Sequence, residues 1–325
     1  MKTTRSMTAI GAGVMATVVL LAGCAGSSVS SGSQTSAGNS AGAQSSAAVA
    51  SGAQLVVLAD GSEGIAGLWM LDDKLAWTQL SATPGATALG VAADGIALAT
   101  GHTVEIRPRT GLGKGGAAKT LNWVGAIPTA PIVAIDTSGG DKMVLVTADT
   151  QSLGYAIVTP DGSAAALSPA PSQAFTPSAA WLDDSRLLVL STDNSQVSRL
   201  AVVDTATQTL KAGTAVSGVR VMGLSGDRQV VCVATEAAVS IGSVDSLLGS
   251  GPITPTIGLA SDQVVWGLTL DARGSHLYMF SGTPAADGQV GAGREVVYAK
   301  LGSEWVRVLD SAVLFGRPIG QVLLG

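Results

Sequence analysis

Residues 139–147 read Gly-Gly-Asp-Lys-Met-Val-Leu-Val-Thr and carry the pattern from which the fold follows. A Gly/Asp turn precedes a short apolar run that ends in a small hydroxyl residue. The pattern recurs, at steps of about 43 to 46 residues, at residues 94–100, 183–191, 226–234 and 273–281. One further step back reaches Ser51, just before the apolar residues 55–59. Repetition with this period is typical of repeat folds.

Each repeat continues with the same further elements. A hairpin and a second strand follow the apolar run, for example residues 155–159 or 200–204. An Asp-containing turn such as residues 204–207 then leads to a third strand at residues 209–212. Four antiparallel strands in about 44 residues make one blade of a β-propeller.

The two ends of the repeat region complement each other. The N-terminal part supplies only three strands, at residues 55–58, 68–71 and 75–80, whereas residues 319–324 form an isolated C-terminal strand. A shared blade would remove the open edge that promotes aggregation. We therefore predict an all-β chain with a single six-bladed propeller over residues 54–325, built of four-stranded antiparallel blades and closed by its terminal strands. Seven blades or a pair of β-sandwiches are the alternatives.

The repeats resemble those of WD40-like and YVTN-type bacterial propellers, and residues 203–207 (Val-Asp-Thr-Ala-Thr) are the most YVTN-like. The resemblance covers residues 54–325, and this region is similar to the propeller part of actinobacterial surface lipoproteins. It implies a superfamily and a fold, and it implies no particular function.

The N-terminus has the features of an export signal. Lys2 and Arg5 precede an apolar stretch from about residue 9 to residue 21, and Leu-Ala-Gly-Cys follows at residues 21–24. This ending resembles the lipobox of bacterial lipoproteins, which implies cleavage before Cys24 and a diacylglycerol group on its thiol. The apolar stretch is shorter than the roughly 20 residues of a membrane span. We expect residues 1–23 to be a lipoprotein signal peptide.

Residues 24–53 are expected to be the lipidated Cys24 and a tether of Ser, Gly and Ala. Such a composition cannot bury enough apolar surface to offset its ordering entropy, so a flexible coil with a span of roughly 30 Å is expected. The predicted partner of Cys24 is the lipid bilayer, because two or more acyl chains hold a protein stably. The predicted location is the extracytoplasmic face of the cell membrane.

Composition excludes one class of partner. Charged residues make up 13% of the chain and the net charge is −5, which becomes −7 when Lys2 and Arg5 leave with the signal. Nucleic acid is not an expected partner, because it needs a basic footprint. Cys232, in a run of valines, is expected to be a buried core residue without a disulfide partner.

Catalytic and metal-binding motifs are scarce. His102 and His276 are expected near opposite rims as solvated loop residues, too far apart to share a metal ion. Gly111, Gly113 and Gly116 match a dinucleotide fingerprint in spacing, but they join two strands of a blade and read better as a loop. No cofactor and no metal site are predicted.

The innermost strands are apolar and small, and only Gln321 offers a polar side chain to the axis. Axial enzyme sites in lactonase-like propellers need several inward carboxylates, amides or imidazoles. The sequence therefore predicts a protein that is not an enzyme, with a hydrolase or lactonase of unusual type as the alternative. The six tryptophans are expected to fill spaces between blades, and an exposed sugar-binding platform is the other interpretation.

Acidic residues recur just beyond the second strand of four blades: Asp60, Asp149, Asp193 and Glu236. His102 and Thr283 lie near the corresponding places in the other two. Aspartate is also a common hairpin residue, which explains part of the pattern without function. The functional interpretation is a docking rim for a cation, a basic peptide or a partner protein. The predicted function is therefore a membrane-anchored binding or scaffolding module for a protein or cell-envelope partner, with a carbohydrate-binding module as a further alternative.

Overall fold

The computed structural model describes residues 54–59, 66–71, 76–83, 85–93, 95–112, 117–125, 127, 129–149, 152–168, 178–192, 197–249, 254–284, 290–313, 315 and 318–324. The predicted signal peptide, Cys24 and tether lie outside these residues, and so do Asp60 and Asp193. No helix in the described ranges has the length and apolar character needed to cross a bilayer.

In the described parts of the chain, twenty-five strands form six sheets arranged as the blades of a propeller. Blade 1 contains β1 (Gln54–Ala59), β2 (Gly67–Leu71) and β3 (Trp77–Ser81). Blade 2 contains β4 (Ala86–Ala92), β5 (Gly95–Thr100), β6 (Thr103–Pro108) and β7 (Lys119–Leu121), with a 3-10 turn at Arg109–Gly111. Blade 3 contains β8 (Val124–Gly125), β9 (Ile132–Thr137), β10 (Met143–Ala148), β11 (Leu153–Val158) and β12 (Ser163–Ala166).

Blade 4 contains β13 (Ala179–Trp181), β14 (Arg186–Thr192), β15 (Val197–Asp204) and β16 (Thr209–Ser217). Blade 5 contains β17 (Val221–Leu224), β18 (Val230–Ala234), β19 (Ala238–Ser243), a short helix α1 (Val244–Leu247) and β20 (Ile257–Gly258). Blade 6 contains β21 (Val264–Leu270), β22 (His276–Pro284), β23 (Val290–Leu301) and β24 (Glu304–Ala312). The last strand, β25 (Pro318–Leu324), returns to blade 1.

The strands of each blade are lettered A to D from the axis outward. β25 is strand A of blade 1 and pairs antiparallel with β1, with Gln321 opposite Val57 and Leu324 opposite Gln54. The predicted six-bladed propeller of four-stranded antiparallel blades, closed by its terminal strands, is confirmed. Blade 3 departs from the prediction, because β8 adds a fifth, parallel strand outside β12. B–C and D–A connections share one face of the propeller, and A–B and C–D connections share the other.

The central residues of strand B are apolar in each blade, because this part of the strand is covered on both faces. In β10, Met143 and Leu145 pack against blade 2, whereas Val144 and Val146 pack against blade 4. A strand buried on both faces reads as a continuous apolar run and does not alternate with polar residues. Cys232 on β18 is fully buried in the same way, as predicted, and burial raises the pKa of its thiol to about 12.

Glycines in the A strands let neighbouring blades approach closely at the axis. A side chain at Gly90 would collide with the carbonyl oxygen of Ile135 in blade 3. The Cβ of a residue at Gly223 would lie 2.6 Å from the carbonyl oxygen of Leu268 in blade 6. The small residues of these strands are therefore required by blade-to-blade packing.

Candidate functional site

The A strands of all six blades line an axial cavity of about 270 Å³. Most of its wall is apolar, with small residues such as Gly90, Ala134 and Gly223 beside large ones such as Trp266. Two charged residues, Asp136 and Arg228, also line it among the described residues. They lie toward the face of the A–B turns, because β9 runs to Thr137 and Arg228 belongs to the A–B turn of blade 5.

Asp136 is the centre of a hydrogen-bond network that joins three blades. Arg228 Nη1 donates to Asp136 Oδ2 at 2.7 Å, and Arg228 Nη2 donates to Oδ1 at 3.2 Å and to the carbonyl oxygen of Thr137 at 3.3 Å. The backbone N–H of Trp181 in blade 4 donates to Oδ2 at 2.8 Å. The carboxylate of blade 3 is thereby bonded to blades 4 and 5, and its charge is matched by a bidentate guanidinium.

Arg228 reaches Asp136 from a tight turn. Its backbone has a φ of 62°, in the left-handed region that a non-glycine residue rarely adopts. The Arg228 N–H donates to the carbonyl oxygen of Ser225 at 2.9 Å, and the Ser225 hydroxyl donates to Asp227 at 2.6 Å. These bonds hold the conformation that sends the guanidinium toward the axis.

Gln321 on β25 is the polar residue that the sequence placed at the axis, and it lines the cavity. Its Oε1 and Nε2 are both buried, and neither has a hydrogen-bond partner among the described residues. The amide lies against Gly267, where any Cβ would collide with Oε1. A buried amide without partners is costly, because it has lost its hydrogen bonds to water.

The expectation that Gln321 alone is polar at the axis is wrong. Strand β9 runs two residues beyond the apolar stretch 132–135, which brings Asp136 into the wall. Arg228 belongs to an A–B turn and reaches the axis only through its long side chain. An aspartate directly after the apolar residues 132–135 is visible in the sequence and could have indicated Asp136 as a residue of the wall. The partnership itself joins positions 92 residues apart and leaves no local motif.

Of the predicted acidic rim, the described part contains Asp149 and Glu236. Both are exposed in B–C turns, of blades 3 and 5, and so lie on the same face. Asp149 Oδ1 accepts bonds from the N–H of Ser152 at 2.7 Å and from its hydroxyl at 3.0 Å. Glu236 forms an exposed ion pair with Arg220, which precedes β17. His102 and Thr283 are exposed at the same face of blades 2 and 6.

His276 lies at the opposite face, where it begins β22 directly after the A–B turn of blade 6. Its Nδ1 is 3.0 Å from Asp271 Oδ2, and Ser275 Oγ donates to the same oxygen at 2.5 Å. Burial by itself raises the pKa of Asp271, but hydrogen bonds from His276 and Ser275 outweigh it and lower the pKa to about 2. The expectation of a solvated loop histidine is wrong here, because the carboxylate of the turn draws the ring inward.

Glu295 on β23 is buried at the contact between blades 6 and 1, with 1% of its surface exposed. The indole Nε1 of Trp77 donates to Oε2 at 3.2 Å, and Oε1 has no partner among the described residues. Phe280 and Phe315 pack on Trp77 with ring centroids 5.9 and 4.8 Å away. Burial raises the pKa of Glu295 to about 7, against a smaller lowering by the Trp77 bond.

Five of the six tryptophans pack in or against the apolar clusters between blades, as predicted, whereas Trp266 lines the axial cavity. Trp181 is 1% exposed, and Trp69, Trp77, Trp123 and Trp305 pack in or against apolar clusters. The glycine-rich segment that begins at Gly111 connects β6 to β7, which are antiparallel neighbours. A dinucleotide fingerprint instead lies between a strand and a helix. Within the described ranges, no three His, Cys, Asp or Glu side chains are grouped to hold a metal ion.

No family model matches this chain, and no curated protein matches its sequence. Solved structures with the same fold do match. TolB from Acinetobacter baumannii superposes with a TM-score of 0.63 at 12% identity, over 84% of this chain and 66% of that one. A putative TolB from Agrobacterium tumefaciens has a TM-score of 0.57 at 11% identity, over 82% and 91% of the two chains. The chain thus spans just under two thirds of the Acinetobacter protein.

A periplasmic gluconolactonase from Pseudomonas aeruginosa has a TM-score of 0.50 at 14% identity, over 84% of this chain and 99% of that one. At such identities the likeness shows the fold alone. It nevertheless contradicts the prediction that the chain is not an enzyme, because that exclusion rested on missing motifs. An axial site gathers single residues from separate blades, so it leaves no local motif whose absence could exclude catalysis. These comparisons identify the chain as a β-propeller of the kind found in both TolB and a gluconolactonase.

Proposed function

We propose that the chain is an exported lipoprotein whose propeller binds a protein or cell-envelope partner through the face of the B–C and D–A connections. Residues 1–23 would be the signal peptide, Cys24 the lipidated residue on the extracytoplasmic side of the cell membrane, and residues 25–53 the tether. The propeller of residues 54–325 would be held near the surface by the acyl chains. The basic start, the apolar stretch and the Leu-Ala-Gly-Cys ending support the anchor.

The observation that carries the binding role is the pair of exposed carboxylates, Asp149 and Glu236, on one face. Glu236 is matched by Arg220, and both side chains are well exposed, at 73% and 45%. An exposed ion pair of this kind is worth only about 0–1 kcal/mol, so a basic group on a partner can replace Arg220. Asp60 and Asp193, the other two members of the rim predicted from the sequence, lie outside the described residues. The proposed partner surface is therefore basic.

The anchor is tested with Cys24→Ala. We expect the wild-type protein to incorporate labelled fatty acid and to remain with the membrane fraction. The variant should take up no label and appear, still folded, in the soluble fraction, because no described strand depends on lipid. Membrane retention of the variant, or a wild-type protein without label, would contradict the lipoprotein proposal.

The rim is tested by replacing Asp149 with Asn and Glu236 with Gln together, which removes charge and keeps shape. The control replaces Asp245 with Asn and Glu304 with Gln, two exposed carboxylates on the opposite face: Asp245 lies in α1 of the C–D connection of blade 5, and Glu304 begins β24. Immobilised propeller is used to capture basic envelope proteins. Capture should be lost with the rim variant, retained with the control and weakened by salt, because exposed charges are screened. Equal capture by both variants would refute the rim.

A hydrolase or lactonase-type activity is the second candidate. It is favoured by the axial cavity, into which the Asp136–Arg228 pair brings a carboxylate and a guanidinium. The test is a panel of lactones and envelope glycans, assayed with and without chelator. Turnover that disappears with Asp136→Asn and survives Asp245→Asn would support the activity. No turnover across the panel would refute it.

A further inference from the structure

The axial cavity contains polar groups whose hydrogen-bonding capacity is unused. Gln321 offers an amide that can make four hydrogen bonds and makes none with the described residues. Leaving such a group buried without partners costs about 1–3 kcal/mol, and an aliphatic side chain of similar shape would not carry this cost. A partner outside the described protein groups is the physical explanation for an amide at this position.

Arg228 also has donors to spare. Its guanidinium has five N–H groups, and the described residues accept three hydrogen bonds from it, two at Asp136 and one at the carbonyl oxygen of Thr137. The two remaining N–H groups belong to a side chain that lines the cavity and is 24% exposed. Asp136 fixes the guanidinium plane, so these donors are held in place before any ligand arrives.

The charge and size of the cavity limit what it can take. Asp136 and Arg228 cancel each other, and no other charged residue lines the cavity in the described ranges, so a ligand with net charge would find no counter-charge. A cavity of about 270 Å³ is at or below the small end of drug-sized pockets, and it suits a single ring. Amide, guanidinium and carboxylate together present both donors and acceptors, which hydroxyl groups can satisfy at once.

We propose that the axial cavity is a binding site for a small neutral polyhydroxylated molecule of monosaccharide size, bonded by Gln321 and by the free N–H groups of Arg228. On ligand binding, rotation about the side-chain torsions of Gln321 would carry its amide from Gly267 into the cavity. The small apolar residues of the A strands contact the ring. This site is separate from the proposed docking rim, and it requires no catalytic turnover.

The experiment uses the purified full-length chain and a panel of neutral sugars: glucose, galactose, mannose and N-acetylglucosamine. Glucuronic acid and glucosamine are the charged counterparts. Binding is measured by isothermal titration calorimetry and by the change in melting temperature. At least one neutral sugar should bind and raise the melting temperature. The charged counterpart should bind about tenfold or more weakly, because its charge is left unpaired.

Two cavity variants and one control separate binding from folding. Gln321→Leu should weaken binding about tenfold or more while leaving the melting temperature of the free protein equal or higher, since it removes an unpartnered amide. Arg228→Met should also weaken binding. Arg294→Met, which removes an exposed, ion-paired arginine on β23, should leave binding unchanged.

The outcomes decide the proposal. A panel in which no neutral sugar binds overturns it, and so does binding that is unchanged in Gln321→Leu. In the second case the amide serves packing or meets only water. Equal binding of neutral and charged sugars overturns the proposal that the site selects a neutral ligand. Because Gln321→Leu is expected to fold, the test does not depend on the stability of Arg228→Met.

Discussion

Replacing Glu295 with Gln should remove a pH-dependent loss of stability at the contact between blades 6 and 1. The carboxyl group is 1% exposed, accepts one hydrogen bond from Trp77 and leaves Oε1 without a partner among the described residues. Burial raises its pKa from an ordinary value of 4.5 to about 7. Glutamine keeps an acceptor for the Trp77 N–H and cannot ionise.

The direction in which the free energy of unfolding changes with pH follows from proton binding. Between pH 4.5 and about 7 the folded protein keeps a proton on Glu295 that the unfolded chain has lost. The free energy of unfolding therefore falls as pH rises, by about 1.4 kcal/mol per pH unit, and levels off above about 7. The difference of about 2.5 pH units corresponds to roughly 3 kcal/mol lost by pH 8. The Glu295→Gln variant should not lose this amount.

Urea unfolding of both proteins at about pH 5, 6, 7 and 8, followed by tryptophan fluorescence, measures the effect as a difference between variant and wild type. Other titrating groups cancel in that difference. We expect the variant to gain about 2.5 kcal/mol relative to the wild type between pH 5 and pH 8, because part of the total is already lost at pH 5. Glu304→Gln, at an exposed position on β24, should give a flat difference. Parallel curves for Glu295→Gln and wild type would show that the carboxyl group is ionised at little cost.

Three further predictions concern the fold. Asp271→Asn should lower the free energy of unfolding by about 2 kcal/mol at pH 7, because the low pKa of this carboxyl group contributes stability that is present above pH 3.8 and lost as pH falls through about 2. In urea unfolding the difference between variant and wild type should therefore vanish near pH 2. A difference that does not depend on pH would contradict this prediction. Gly90→Ala should lower the unfolding free energy by about 1–3 kcal/mol, because its Cβ meets the carbonyl oxygen of Ile135, whereas Gly258→Ala, where nothing lies within 4 Å of the added Cβ, should cost less than this. Deleting residues 318–325 should expose the inner edge of β1 and cause association in size-exclusion chromatography, and a stable monomer with wild-type melting behaviour would refute the role of the closing strand.

The sequence predicted the propeller because strand B is buried on both faces, so its central residues are apolar and can be recognised from composition alone. Residues such as Val144 and Leu145 face different neighbouring blades, so the run is apolar throughout and repeats visibly. The closing strand could be predicted by counting strands, because the N-terminal repeat contains three strands where a blade has four and the C-terminal end contains one additional strand. The two-residue strand β8 was missed because so short a segment has no periodicity.

The buried polar groups were harder to predict because they depend on contacts between blades. Glu295 follows Arg294 in β23, and nothing in the local sequence shows that it is buried against Trp77 of blade 1. In the sequence, Asp136 near a strand end and Arg228 in a turn belong to no motif that would link them. Only the ring of six blades brings them together, which is also why the absence of catalytic motifs did not exclude an enzyme of this fold.

Gln321 connects the proposed ligand to the closure of the propeller. It lies on β25, the strand that completes blade 1 by pairing with β1, and the residue forms part of the wall of the axial cavity. A ligand bonded to Gln321 therefore binds only the closed ring, because an open blade 1 would withdraw one wall of the site. Ligand at one hundred times its dissociation constant would add about 2.7 kcal/mol to the stability of the closed state. Loss of β25 would in turn abolish binding, so closure and ligand binding should fail together.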